Sequence, residues 1–302
     1  MFTFAKEQTT LELGDLRVGG QPGENATLAV GSIFYEGQFQ EPKKALGDAE
    51  GLINTQRDMA DELAVQTLVD IFIYDQEEIE WKVNFILEAF DGMISFDVPE
   101  STVRMQLLEY LEQVGSLDRT IYNSINLGIT EEELKVIQRC TPLGAILLAY
   151  DPQDNSTQGR LNMIKGGSKL IPQGMLEMSD MIEYKLLDTA VTPFGEGTSE
   201  SLRAIPVFKS EFGLPTGCAM HNAVEAWNWL SKYRRKEEVM PILDAAVDVP
   251  PMIFGADFIY YGPIENARHQ LPMVAMIDRL IGEGAETYFG IEVPEDHPFN
   301  KL

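Results

Sequence analysis

Cysteine and histidine are scarce in this chain. The two cysteines, Cys140 and Cys218, are too few among 302 residues for a disulfide scaffold or a cysteine-rich zinc or iron–sulfur site. The three histidines, His221, His269 and His297, form no HExxH motif. The sequence therefore lacks the common signatures of a bound metal, and we expect none.

Positive charge and long apolar runs are also missing. Lys and Arg number 23 against 48 Asp and Glu, a net charge of −25, which argues against nucleic acid or an anionic membrane as the main partner. The run Arg234-Arg235-Lys236 is too short to reverse this and predicts a solvated helix end. No apolar run reaches the roughly 18 residues that span a bilayer, and the N-terminus does not resemble a signal peptide. We expect a soluble, cytoplasmic protein.

Short apolar runs alternate with longer amphipathic stretches along the chain. Their continuous apolarity is typical of parallel strands covered on both faces. The runs span residues 28–34, 66–73, 92–96, 120–125, 144–149, 184–187, 215–219 and 258–261. Helical patterns follow, as at 48–63 and 75–90, and Ser101 after Pro99 predicts a helix N-cap. These units predict a (β/α)8 TIM barrel, since a doubly wound open sheet would favour a GxGxxG turn that is absent.

The first 27 residues precede the barrel pattern. Apolar residues flank a turn at Gly14-Asp15 and predict a β-hairpin; they are Leu11, Leu13, Leu16 and Val18. The hairpin would plug one end of the barrel or lie beside it. Neither a linker nor a low-complexity tract interrupts the chain, so we expect residues 1–302 to form one domain with residues 1–27 as an extension.

Polar residues cluster where the predicted strands end. They are Asp70, Asp97, Asn123, Ser124, Asn126, Asp151, Asp188, Thr189, His221, Asn222, Glu265 and Asn266. Because the carboxyl ends of barrel strands meet at one mouth, we expect these side chains to converge there, with almost no Lys or Arg among them. Such a mouth lacks the cations that hold phosphates. It suits a flat ring with several N–H donors, and a reduced pterin offers an NH2 and an N–H to one carboxylate.

Each of these residues also has a structural interpretation. A strand-end Asp is often a helix N-cap, and Asp97 and Asp151 both lie close to a proline. Asn123 could stabilise a turn, and His221 could be a buried, hydrogen-bonded side chain. The convergence of the set, more than any single member, points to a ligand.

Other functions remain open at this point. Carboxylates could hold Mg²⁺ or Ca²⁺, although no DxDxDG run is present. Asp188 and Glu265 could serve as the carboxylate pair of a glycoside hydrolase. A barrel that binds a heterocycle without turning it over is a further alternative. The aromatic residues Trp227, Trp229 and Tyr233 predict a helix packing face.

Four segments carry a family resemblance. They are GGQPGENATLAVGSIFYEGQ (19–38), RTIYNSIN (119–126), LLDTAVTPFGEG (186–197) and GCAMHNAVEAWNWL (217–230). These segments resemble the MtrH family, which supplies one component of the archaeal tetrahydromethanopterin S-methyltransferase. They look equally like its soluble bacterial relatives, the methylcorrinoid:tetrahydrofolate methyltransferases of methylamine and glycine betaine breakdown. The resemblance implies a pterin-binding (β/α)8 barrel, a homodimer and a separate corrinoid protein as partner.

The resemblance also implies roles for single residues. More distant corrinoid/iron–sulfur protein methyltransferases hold the pterin with a strand-three Asp, a strand-four Asn-Ser and a strand-six Asp, and a strand-seven Asn reaches the N5 region. By similarity the pterin-binding residues are Asp70, Asp97, Asn123, Ser124, Asp188 and Asn222. Of these, Asn222 is implied to contact N5, with Asp97 and Asp188 as the further catalytic residues.

One departure bears on the methyl acceptor. The archaeal proteins carry a His–Lys pair soon after their GSIFY motif, and GSIFYEGQFQEP has none in this chain. We therefore expect methyl transfer from a methyl-Co(III) corrinoid protein to N5 of tetrahydrofolate. A methyltransferase component that uses tetrahydromethanopterin is the alternative.

Overall fold

Parallel strands and helices alternate in the computed structural model, which describes residues 1–232 and 239–302. In this part of the chain eight strands close a barrel in the order β10-β3-β4-β5-β6-β7-β8-β9. Their bounds are Leu28–Ile33 (β3), Gln66–Phe72 (β4), Ile94–Asp97 (β5), Thr120–Ile125 (β6), Gly144–Leu148 (β7), Tyr184–Asp188 (β8), Thr216–Cys218 (β9) and Phe258–Pro263 (β10). The predicted (β/α)8 barrel is confirmed, and the strand ends differ from the expected ones by at most two residues.

Helices cover the outside of the barrel. Their bounds are Leu46–Leu63 (α1), Gln76–Ala89 (α2), Ser101–Val114 (α3), Glu131–Cys140 (α4), Thr157–Lys165 (α5), Met175–Met178 (α6), Thr198–Phe212 (α7), His221–Ala226 (α8), Val239–Ile253 (α9), Ala267–Phe289 (α10) and Pro298–Lys301 (α11). Among the helices described, none combines the length and apolarity needed to cross a bilayer. The predicted basic run at 234–236 and Tyr233 lie outside the described residues.

The N-cap predicted for α3 is wrong by one residue. The helix begins at Ser101 as expected, but Glu100 occupies the cap position and makes no side-chain cap bond. The Ser101 hydroxyl instead donates to Glu133 Oε2 at 2.6 Å. The Ser101 hydroxyl therefore links α3 to a buried carboxylate on the neighbouring helix rather than capping its own helix.

Alternation along the strands separates two cores. In β3, Leu28 and Val30 belong to the cluster inside the barrel, whereas Ala29 and Ile33 pack against the helices. The period of two places Ser32 inside as well, one layer nearer the carboxyl end. The same alternation in the other strands brings an apolar layer to the bottom of the barrel and polar side chains to its top.

The predicted hairpin is present and closes the bottom of the barrel. Strand β1 (Thr10–Leu13) pairs antiparallel with β2 (Leu16–Gly19). Leu11, Leu13 and Val18 are buried in the same cluster as the inward-facing residues of the barrel strands. Gln66 at the start of β4 accepts from the backbone N–H of Arg17 at 2.6 Å and donates to its carbonyl at 2.9 Å. The hairpin is therefore a plug, which leaves the opposite mouth open.

Candidate active site

A cavity of about 240 Å³ opens at the carboxyl end of the barrel. Its lining comprises Ser32, Asp70, Phe72, Asp97, Val98, Pro99, Arg104, Asn123, Ser124, Asn126, Leu148, Asp188, Ala219, His221, Asn222 and Tyr260. The strand register explains the grouping, because Phe72 pairs with Asp97 and Asp97 with Asn123 across neighbouring strands. The convergence expected from the sequence is therefore present.

Four of the twelve polar positions expected at the mouth lie outside the cavity lining: one is Thr189, and the other three make contacts elsewhere. Asp151 stabilises a turn, accepting from the backbone N–H of Gln153 at 2.8 Å and from the Ser168 hydroxyl at 3.0 Å. Glu265 accepts from Tyr35 and Gln38, both at 3.0 Å. Asn266 donates to the Asp244 carboxylate at 3.3 Å. Among the described residues none of the three lines the cavity, so the carboxylate pair Asp188–Glu265 is not assembled in it.

Asp70 forms the floor of the cavity. Its carboxyl accepts a short hydrogen bond from Ser95 and longer ones of 3.4 Å from Ser32 and Asn123. Burial raises the pKa of Asp70, and these donors oppose the rise. Because the Asn123 amide nitrogen donates to Asp70, its carbonyl oxygen is left as an acceptor. The peptide bond that follows Asn123 is cis.

Asp97 is the least engaged carboxyl in the cavity. Its side chain accepts no hydrogen bond from the residues that the structure describes. Burial raises the pKa of Asp97, the charge of Asp70 raises it further, and Arg104 opposes both. The structural interpretation of Asp97 as a helix cap is wrong, since Glu100 holds that position. Its carboxyl is available to a ligand that donates hydrogen bonds.

Arg104 is the cation that sequence reasoning missed. It projects from the first turn of α3, and its guanidinium pairs with buried Glu133 and donates to the carbonyls of Val98 and Pro99 at 2.9 and 2.8 Å. All of these partners are protein groups, so Arg104 fastens the loop after β5 beside Asp97. A helical Arg seven residues beyond the end of a strand carries no local signal that it turns back toward the mouth.

Asp188 and His221 form the opposite wall. Asp188 accepts from the Ala190 backbone N–H at 2.7 Å, and burial raises its pKa to about 7. His221 Nδ1 lies 2.6 Å from the Tyr260 carbonyl oxygen, so Nδ1 carries the proton. Burial lowers the pKa of His221 to about 4, which leaves the ring neutral at physiological pH. His221 is thus buried and hydrogen-bonded, as its structural interpretation expected, while also lining the cavity.

Asn222, Ser124 and Asn126 complete the polar lining. Asn222 is exposed in the first turn of α8, directly after His221. Asn126 donates to the Ser124 carbonyl and hydroxyl, both at 3.2 Å. Ser124 is therefore held by a neighbour, whereas Asn222 projects from the mouth at the place where a ligand would enter.

Two of the three aromatic residues predicted to form a packing face after β9 are substantially exposed, and the third, Tyr233, lies outside the described residues. Trp227 ends α8 and is 38% exposed, and Trp229 follows in a 3-10 turn with 53% exposed. Their rings stack at 5.0 Å, and Phe194 contacts Trp227 at the same distance. The helical spacing that predicted a buried stripe fails because α8 is only six residues long.

The described residues contain no cluster of three or more His, Cys, Asp or Glu side chains arranged to hold a metal ion. The groups that do converge are hydrogen-bonding oxygens and amides around a small cavity. Drug-sized ligands commonly take roughly 300–1,000 Å³, so this one suits a ring-sized head group.

Solved structures share this architecture. Dihydropteroate synthase from Yersinia pestis matches 90% of this chain and 98% of its own, with a TM-score of 0.61 and 15% identity. The Xanthomonas albilineans dihydropteroate synthase complex with 7,8-dihydropteroate matches 90% and 98%, with a TM-score of 0.58 and 11% identity. The class defined by the fold is therefore the (β/α)8 barrel with its polar cavity at the carboxyl ends of the strands.

Sequence comparison places the chain within that class. The family model described as "Tetrahydromethanopterin S-methyltransferase MtrH subunit" matches residues 6–294, and the chain belongs to this methyltransferase family. The MtrH protein of the Methanothermobacter marburgensis tetrahydromethanopterin S-methyltransferase is 37% identical, and that of Methanocaldococcus jannaschii is 35% identical. The corresponding component of the putative mtx methyltransferase of Methanosarcina mazei is 38% identical. All three alignments cover 100% of both chains.

Proposed function

We propose that this chain transfers a methyl group from a methyl-Co(III) corrinoid, carried by a separate protein, to N5 of tetrahydrofolate. In this displacement the N5 lone pair forms the new N–C bond, the Co–C bond breaks, Co(I) keeps the bonding electrons, and the N5 proton passes to solvent. The step requires in-line placement of N5 within about 3–3.5 Å of the methyl carbon. The work of the chain is to hold the pterin in that position.

The convergence of Asp97, Asn123, Asp188 and Asn222 on one cavity carries the proposal. The aminopyrimidinone edge of a pterin presents an NH2 and an N–H to a carboxylate, and Asp97 has both oxygens available for them. The Asn123 carbonyl oxygen, oriented by Asp70, adds an acceptor beside it. These acceptors therefore fit the N–H groups of a reduced pterin, and a ligand without those N–H groups would leave buried acceptors unpaired.

Asn222 is the proposed contact to N5. It is exposed at the rim, on the side from which a docked corrinoid protein would present the methyl group. Positive charge develops on N5 as the bond forms, and the Asn222 carbonyl oxygen would stabilise it. Asp188 and Asp97 add negative potential from the cavity walls. Ser124 and Asp70, which also line the cavity, are the remaining proposed pterin-binding residues.

The relatives favour a second acceptor. The curated proteins that are 35–37% identical are named for tetrahydromethanopterin, which makes that pterin the alternative substrate of the same site. The two acceptors share the reduced pterin head group, so the cavity accommodates either. Parallel assays with both pterins decide the preference, and a clear advantage of tetrahydromethanopterin would replace our proposal on this point.

The proposed function also includes contacts of this chain with other protein chains. The corrinoid protein is the partner at the mouth, and the chain works as a homodimer. Met276 and Leu280 on α10 are 61% and 52% exposed, which makes this helix a candidate for the contact between two copies. Sedimentation at micromolar concentration would show a monomer if this is wrong.

The decisive assay mixes the chain anaerobically with a methylated corrinoid protein and tetrahydrofolate and follows the Co(I) absorbance. We expect Co(I) and 5-methyltetrahydrofolate in equal amounts. Asn222→Ala should lower kcat by roughly 10- to 100-fold with little change in the KM for the pterin, because the lost hydrogen bond strengthens as charge develops. Pterin binding without Co(I) formation would identify a binding protein, and pterin-independent glycoside hydrolysis would identify a hydrolase.

A further inference from the structure

An exposed group of aromatic rings lies in the segments that follow β8 and β9 at the carboxyl end of the barrel. It consists of Phe194, Trp227 and Trp229, which we call the aromatic patch. Phe194 and Trp227 are 5.0 Å apart between ring centroids, and Trp227 and Trp229 stack at 5.0 Å with 26° between their planes. The three side chains are 37%, 38% and 53% exposed. Contiguous exposed aromatic surface of this kind marks a binding surface more often than chance.

The patch is built on the same strands as two cavity residues. Phe194 lies in the loop after β8, the strand that ends in Asp188. Trp227 ends α8, whose first turn carries Asn222. The patch is therefore continuous in the chain with the wall of the cavity formed by Asp188 and Asn222, at the carboxyl end of the barrel.

Granted the proposed function, the covalent structure of a reduced pterin indicates which part of the ligand would reach the aromatic patch. In a reduced pterin, the C6 atom that bears the tail is bonded directly to N5. With Asn222 at N5, the tail leaves the cavity on the side of α8. The cavity of about 240 Å³ holds the bicyclic head group, so the tail must lie outside it.

We propose that the aromatic patch binds the aryl ring in the tail of the acceptor. The arylamine next to the head group is common to tetrahydrofolate and tetrahydromethanopterin, and a flat ring stacks on exposed Trp and Phe faces. The patch is a positioning site: by holding the tail it fixes the rotation of the head group, and so the direction of N5. The uncharged patch gives a chain with a net charge of −25 a way to bind this tail without electrostatic attraction.

Calorimetric titration under anaerobic conditions separates the head group from the tail. The probes are tetrahydrofolate, tetrahydromethanopterin and 6-methyltetrahydropterin, which has the head group and no aryl ring. Trp227→Ala should weaken binding of both aryl-bearing pterins roughly five- to tenfold, the size of one aromatic stacking contact, and leave 6-methyltetrahydropterin unchanged. Trp227→Phe should retain most of the affinity. Tyr288→Ala, which removes an exposed aromatic ring from α10, is the matched control.

The outcomes distinguish this proposal from the proposed function. Equal loss of all three pterins in Trp227→Ala, or a change only in the KM for the corrinoid protein, would overturn the aryl site and leave the methyl transfer standing. The second result would assign the patch to docking of the partner. If Trp227→Ala does not fold, Phe194→Ala is compared with the unmodified chain for the same three pterins. Equal affinity of the unmodified chain for tetrahydrofolate and 6-methyltetrahydropterin overturns the proposal. No binding of any pterin to the unmodified chain would overturn both.

Discussion

The side chains at the mouth differ in how firmly the protein already holds them. Asp70 has three donors, Asn123 gives its amide to Asp70, and Asp188 accepts one backbone N–H. Asp97 accepts no hydrogen bond within the described chain. A side chain without a protein partner has the most to offer a ligand, so Asp97 is where binding energy should concentrate.

Replacement of Asp97 tests this ranking. Asp97→Ala should weaken tetrahydrofolate binding by about 1–3 kcal/mol, because the pterin N–H groups would be buried without an acceptor. Asp97→Asn should fall between, since it keeps one acceptor oxygen. Calorimetry measures both, and Asp118→Ala at the opposite end of the barrel is the control. An unchanged dissociation constant in Asp97→Ala would contradict the assigned role.

The raised pKa of Asp188 predicts a pH dependence of binding. Burial raises this pKa to about 7, so near neutral pH part of the population carries a protonated carboxyl that has lost acceptor capacity. Affinity for the pterin should therefore increase as the pH rises from 6 to 8. Burial and the charge of Asp70 also raise the pKa of Asp97 to about 7, so Asp188→Asn should make the profile shallower without flattening it. Calorimetric titrations of the pterin between pH 6 and 8 measure this affinity. An affinity that falls as the pH rises would contradict the prediction.

At the scale of elements, the two ends of the barrel have separate tasks. The β1–β2 hairpin seals the bottom with Leu11, Leu13 and Val18 against the inward-facing strand residues. The loop after β5 at the top is fastened by Arg104, whose partner Glu133 lies on α4. Stability and ligand binding should therefore be separable by mutation, as is usual for this architecture.

The hairpin provides the test at this scale. Leu13 is fully buried, and Leu13→Ala should lower the free energy of unfolding by about 2–5 kcal/mol through lost burial and the cavity left behind. The pterin dissociation constant should not change, because the altered site is at the bottom. Denaturant unfolding with Val114→Ala, an exposed position at the end of α3, gives the comparison. A folded Leu13→Ala protein that has lost pterin binding would show that the two ends are coupled.

At the scale of the whole molecule, acidity and burial act together. Besides the mouth, Asp244 and Asp278 are buried carboxyls, and burial raises the pKa of each to about 7. In the unfolded chain such groups titrate near 4, so around neutral pH the folded state binds more protons than the unfolded state. Stability from these groups is complete at low pH and is lost as the pH rises through 7. The formal net charge of −25 already counts both carboxyls as ionised.

The melting temperature should therefore fall between pH 6.5 and 8. His221 and His297, whose pKa values burial lowers to about 4, act in the opposite direction, mainly below pH 6.5. Asp244→Asn should make the fall shallower, since the amide keeps an acceptor for Asn266 and does not ionise. Calorimetric scans at several pH values measure the melting temperature. A melting temperature that rises between pH 6.5 and 8 would contradict the prediction.

Local chemistry misled the sequence interpretation at identifiable residues. Ser101 was expected to cap α3, and its hydroxyl is taken by Glu133 from another helix. Trp227 and Trp229 were expected on a packing face, and α8 ends before such a face can form. Ser32 and Tyr260 line the cavity although they lie within apolar strands. Their only sequence signal was a polar atom at an inward-facing position of the period-two alternation.

The sequence by itself determined the barrel and the end at which polar residues gather. Short continuous apolar runs that alternate with helical patterns are typical of parallel strands buried on both faces. Parallel strands bring Asp97, Asn123 and Asp188 to one edge regardless of their separation along the chain. Tertiary structure alone decided that Asp97, and not Asp188, accepts no hydrogen bond within the described chain. It also decided that Arg104 turns back to hold the loop after β5 and that Phe194 contacts Trp227. These outcomes depend on contacts between distant elements, and spacing along the chain does not encode such distances.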